Sequence, residues 1–136
     1  MNLIEILSIL GIHWIADFVF QDEKWALGKS KNWNDLLSHT ITYSSFWFFI
    51  SLFLDIYTRI TTNKWLFEVI DVQLFVLITF ICHTTTDYFT SRLNFKLYIK
   101  GKFGSSIPNL GFFTSIGFDQ YLHYIQLFLT SCYLTK

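Results

Sequence analysis

Three pairs of residues in this chain have types and spacing suited to chemistry: His13 and Asp17, His83 and Asp87, and Asp119 and His123. Each pair is four residues apart, so on an α-helix both side chains fall on one face, one turn apart. A further histidine, His39, stands in an apolar run of its own. Neutral imidazole and carboxylate are the ligand types that suit Zn, Mn and Fe. A catalytic ion of this kind keeps one position for water and lowers that water's pKa. Three or four such residues make one site, and seven can hold two ions. His13, Asp17, His39, His83, Asp87, Asp119 and His123 are therefore the expected metal ligands. Gln21, Tyr43 and Gln120 flank them and can orient them through hydrogen bonds.

The segments carrying these residues are apolar. Of 136 residues, 52% are hydrophobic and 15% charged, and 16 are Phe. Soluble domains carry roughly 25% charged residues, and a chain this short leaves much of its surface exposed. The composition therefore points to a membrane. A carboxylate in such a segment is costly unless something pairs with it. Net charge is zero, which points to no nucleic-acid partner. No P-loop, Gly-rich dinucleotide turn or Ser-His-Asp arrangement is present. Cys82 and Cys132 fall in apolar runs without a Cys-x-x-Cys partner and read as buried small residues.

Four spans are expected, at about 3–20, 36–54, 70–90 and 113–134, each near the roughly 20 residues a bilayer requires. The first has no basic n-region or Ala-x-Ala site and reads as retained. Residues 21–34 read as an interfacial loop or short helix anchored by Trp25 and Trp33. Asp55 to Lys64 read as a polar connection, with Trp65, Leu66 and Phe67 leading back into the membrane. Leu93 to Gly111 read as a basic, half-apolar connection on the membrane surface, broken by Gly101, Gly104 and Pro108. The expected fold is thus all-α: one transmembrane domain over residues 1–136, an up-down-up-down four-helix bundle with interfacial connecting segments.

In that bundle the polar residues meet. The first and third spans carry their His/Asp pair near the C-terminal end; the second and fourth carry His39 and the Asp119/His123 pair near the N-terminal end. Alternation brings those four ends to one side, so all four histidines share a depth. Lys24, Lys29, Lys31, Arg92, Lys96, Lys100 and Lys102 lie on that side, and Arg59, Lys64 and Lys136 on the other. The positive-inside rule then turns the cluster toward the cytoplasm and both termini outward. Lys29, Arg92 and Lys96 can attract a phosphate headgroup, although a topology-setting role is the more economical reading.

Metal-dependent hydrolysis of a lipid, lipid-linked or other membrane-proximal substrate is the chemistry this arrangement suits. Two alternatives use the same residues. One is a proton or ion conduit. The other is a non-enzymatic membrane adaptor, in which the polar network only fixes helix packing.

The motifs His13-x-x-Ala16-Asp17-Phe18-x-x-Gln21, Lys29-Ser30, His39, His83-x-x-x-Asp87 and Asp119-Gln120-x-x-His123 resemble an uncharacterised family of small bacterial and phage polytopic membrane proteins, a domain of unknown function. The resemblance covers nearly the whole chain. It implies an integral membrane protein of the bacterial inner membrane and implies no activity. In residue types alone, the chain is also similar to membrane-bound metal-dependent hydrolases.

Overall fold

The computed structural model describes residues 2–64, 69–103 and 110–134. Trp65, Leu66, Phe67, Gly104, Pro108 and Lys136 lie outside the described residues. The described residues are mostly helical, without strands: α1 Leu3–Trp14, a π-helical turn Ile15–Val19, α2 Glu23–Gly28, α3 Trp33–Thr62, α4 Val69–Ile99 and α5 Leu110–Leu134.

Local chemistry sets most of these ends. Asn2 caps α1: its Oδ1 accepts from the Glu5 N–H, and the Glu5 carboxylate accepts from the Asn2 N–H. The Asp22 side chain caps α2 by accepting from the Lys24 N–H, and the Asn32 side chain caps α3 by accepting from the Asp35 N–H. Asn63 ends α3 in the left-handed region, with φ 56°, a conformation that asparagine tolerates better than most residues.

Two expected connections are instead helix. α3 continues past Asp55 to Thr62, and α4 continues past Tyr88 to Ile99. Polar side chains do not in themselves end a helix. Asp55 is buried, and the Thr61 and Thr62 hydroxyls donate back to carbonyls one turn earlier. Past Tyr88, nothing breaks α4 until Gly101, which has φ +63°. Residues 93–99 therefore extend α4 rather than lie across a surface. There Asn94 accepts a hydrogen bond from Ser115 of α5.

Side-chain contacts give the packing order. His39 meets His83 and Trp47 meets Phe75, so α3 and α4 run in opposite directions. Thr90 meets Asp119 and Thr79 meets Gln126, so α4 and α5 do too. His13 meets Tyr43 and Asp17 meets His39, which sets α1 and its π turn against α3. The apolar core is small: Ala16, Tyr43, Trp47 and Leu127, with Ile9, Ile12, Phe46 and Phe75 against it. Much of the other apolar surface faces outward, including Phe49, Phe53, Ile81 and Leu129. Cys132 is exposed and Cys82 half-buried, so neither occupies the buried position expected of it. Among the described residues, two helices are long and apolar enough to cross a membrane, Trp33–Thr62 and Ile70–Ile99.

The short α2 and the turn after it lie over the cluster end of the bundle. Gly28 is required there, because a Cβ at this position would run into the Asp35 carboxylate. Its carbonyl accepts from the Lys31 and Asn32 N–H groups, which closes the turn into α3. Arg92 fastens the same region to α4. Its guanidinium sits 3.8 Å from the Tyr88 ring centroid and donates to the Lys29 carbonyl.

Candidate metal centre

The His/Asp residues converge where α1, α3, α4 and α5 meet. His13, His39, His83 and His123 are all buried, as are Asp17 and Asp87, whereas the Asp119 side chain is 13% exposed.

The π turn positions Asp17. Its wider winding replaces the regular α-helix expected through residue 20, and the Phe20 N–H closes it onto the Ile15 carbonyl. Ala16 and Asp17 are both buried there, so neighbouring residues face inward together.

Three ligand atoms form a compact triangle. His39 Nε2 lies 3.1 Å from His83 Nε2 and 3.1 Å from Asp17 Oδ1, and His83 Nε2 lies 3.4 Å from that same oxygen. A tetrahedral ion with ligands at 2.0–2.1 Å requires ligand–ligand edges of about 3.3 Å. The triangle therefore has the dimensions of one face of such a tetrahedron. Asp87 Oδ2 stands beside it, 3.1 Å from His39 Nε2 and 3.6 Å from His83 Nε2.

Hydrogen bonding accounts for one edge of the triangle, between His39 Nε2 and His83 Nε2, and not for the carboxylate oxygen facing them. Asp17 Oδ1 is buried without a hydrogen-bond partner, as are Asp87 Oδ1 and His123 Nε2. Buried polar atoms are ordinarily paired, and each unpaired one is costly. A cation among these lone pairs would satisfy them. Asp17, His39 and His83 form one group able to hold an ion, and His83, Asp87 and His123 form another.

His13, expected as a ligand, stands beside this set, with its Nε2 3.8 Å from Asp17 Oδ2. Its Nδ1 is 2.7 Å from Tyr43 Oη, and its Nε2 is 2.8 Å from Gln120 Oε1. The directions of these bonds can be deduced. Gln120 Nε2 faces Asp17 Oδ2 at 2.9 Å and Asp119 Oδ2 at 3.3 Å, so it donates to two carboxylates. The Gln120 oxygen must then accept from His13, which places the His13 proton on Nε2 and leaves Nδ1 to accept from the Tyr43 hydroxyl. Tyr43, His13 and Gln120 thus form one directed chain ending on Asp17. Tyr43 also stacks on His83 at 3.8 Å, and His123 stacks on His83 at 4.0 Å, so the His83 ring is held between two others.

Asp119 lies at the edge of the cluster. Thr90 donates to its Oδ1, which is 3.6 Å from His123 Nε2. Gln21 does not orient a ligand through its amide nitrogen, which is buried without a partner. Sequence reasoning gave Lys29 only a surface role. In the structure its Nζ lies 3.0 Å from Asp87 Oδ2, with the side chain 16% exposed. Burial disfavours the Lys29 ammonium, but the Asp87 carboxylate, with Asp17 and Asp119 behind it, outweighs this and raises its pKa above the ordinary lysine value. Thr90 was likewise missed, although it stands three residues after Asp87 on the same helix face.

No family model, curated protein or solved structure matches this chain.

Proposed function

We propose that this protein is a multi-pass membrane protein whose His/Asp centre binds a divalent transition metal (Zn, Mn or Fe) and hydrolyses a lipid, lipid-linked or other membrane-proximal substrate. The observation that carries the metal reading is the Asp17–His39–His83 triangle, whose edges fit a tetrahedral ion while its carboxylate oxygen has no hydrogen-bond partner. Charge supports it as well. Asp17, Asp87 and Asp119 bring three negative charges together, and Lys29 offsets one. The remainder is what a divalent ion neutralises. When bound, the ion supplies a water of lowered pKa, the nucleophile of metal-dependent hydrolases. Asp17, His39 and His83 hold it, Asp87 closes the site beside Lys29, and Gln120 fixes the Asp17 carboxylate.

The membrane reading rests on where the apolar surface lies. In α4, the apolar window that could cross a bilayer is only 17% buried within the protein. The apolar core helix of a soluble protein is mostly buried, and large exposed apolar surfaces ordinarily meet lipid or a partner. On this reading all four long segments span the bacterial inner membrane, with the cluster toward the cytoplasm and both termini outside. A C-terminal reporter tests the orientation: cytoplasmic activity of that reporter refutes it.

Metal content tests the centre. Detergent-purified wild type should hold a stoichiometric transition metal, and His39→Ala should lose the ion held by Asp17, His39 and His83. Wild-type protein that stays metal-free after incubation with Zn, Mn or Fe refutes the proposal. One observation favours a second reading, the structural polar network: the Lys29 ammonium on Asp87 already supplies a cation. Under that reading, cluster substitutions lower thermal stability and no metal binds.

A further inference from the structure

Asp87 presents its two carboxylate oxygens to different partners. Oδ2 lies 3.1 Å from His39 Nε2, on the Asp17–His39–His83 side. Oδ1 faces the other way, 3.4 Å from His123 Nε2. His123 Nε2 is in turn 3.6 Å from Asp119 Oδ1. On this side, where Asp87 and His123 belong to the second group with His83, and Asp119 adjoins them, the peculiarity of the first group recurs. Asp87 Oδ1 and His123 Nε2 are both buried without a hydrogen-bond partner although they face each other. Two unsatisfied ligand atoms, with a third carboxylate oxygen within reach, form a second set of donors.

We propose that Asp87 bridges two divalent cations, the first held by Asp17, His39 and His83 and the second by His123 and Asp119. This inference rests on the metal reading above and extends it to a two-ion centre. A carboxylate joining two ions through separate oxygens suits the roughly 3.5–4 Å separation found in two-metal sites. Near-parallel stacking of His83 and His123 at 4.0 Å keeps the two sets side by side.

Two ions also define the ligand class. Three carboxylates and the Lys29 ammonium leave two negative charges, and two divalent ions reverse this to two positive charges. An anion with several oxygens is the complementary ligand, and a phosphate group meets that requirement. The substrate class is therefore a phosphoester. In its hydrolysis a water oxygen forms a new P–O bond, the ester P–O bond breaks, and the water proton ends on the departing alcohol.

The test uses the full chain in detergent, stripped of metal and titrated with Mn²⁺. Wild type should saturate at two ions, with an electron paramagnetic resonance spectrum of a coupled pair. Inorganic phosphate should perturb that spectrum. His123→Ala should saturate at one ion with an uncoupled spectrum that phosphate leaves unchanged, and His39→Ala should likewise retain one. Wild type saturating at one uncoupled ion overturns the two-ion centre and leaves the single-metal reading standing. Wild type binding none overturns both. A coupled pair indifferent to phosphate overturns the substrate class. The wild-type spectrum decides the number of ions even if a variant fails to fold.

Discussion

Gln120 Nε2 donates to Asp17 Oδ2 at 2.9 Å, and this bond ties α5 to the π turn that follows α1. It fixes one oxygen of Asp17 and leaves the other, Oδ1, facing His39 and His83. The Gln120 amide is held in turn by His13, and His13 by Tyr43. A three-residue chain therefore orients one carboxylate.

Replacing Gln120 should weaken metal binding without removing a ligand. Gln120→Leu should lower affinity about 10–100-fold, the usual range for groups that orient metal ligands. Saturating stoichiometry should stay as in wild type. Competition with a chelator of known affinity measures this, and unchanged affinity contradicts the orienting role.

Tyr43→Phe separates two contributions of one side chain. The ring stacked on His83 is kept, while His13 Nδ1 loses its donor. Leaving that buried acceptor unpaired should cost about 1–3 kcal/mol of stability. Tyr43→Ala should cost more, because the stack is lost too. Thermal unfolding of the two variants in one detergent makes the comparison.

On the proposed metal reading, Lys29 and the ion draw on the same oxygen of Asp87, Oδ2. Lys29→Met should lower the melting temperature of the metal-free protein, with a loss on the order of 3 kcal/mol for a buried pair broken on one side. The same variant should show a larger rise in melting temperature on adding metal than wild type does. The pH dependence has a definite sign. The Lys29 pKa is raised in the fold, so its contribution is complete below the unfolded-state value near 10.4 and is lost as pH rises through the higher folded value. The difference between wild type and Lys29→Met, both metal-free, should be flat from about pH 6 to 9 and shrink only above about 10.5.

Gly28→Ala should act through the same contact. A Cβ there meets the Asp35 carboxylate and displaces the turn that aims Lys29. Melting temperature should fall, and the double variant Gly28→Ala/Lys29→Met should be less destabilised than the two single effects combined. Strict additivity would show that the turn does not position Lys29.

The four-residue spacing of His13/Asp17, His83/Asp87 and Asp119/His123, and the end of each apolar segment on which a pair falls, were readable from the chain alone. They follow from helical period and from alternation, both of which are local. The helix ends beyond Asp55 and Tyr88 were less legible, because polarity was read as a break where capping by Asn63 and the turn at Gly101 decide. Three features belonged to the tertiary structure. The π turn from Ile15 to Val19 carries Asp17, and winding of this kind leaves no mark in hydrophobic period. The partners of both His13 nitrogens, Tyr43 and Gln120, come from 30 and 107 residues away. Lys29 reaches Asp87 across 58 residues because Gly28 lets its turn close onto α3. Spacing fixes which face of a helix a side chain occupies. Which lone pair it offers, and to whom, depends on how each helix is turned about its axis, and that is set by packing against chain far away in sequence.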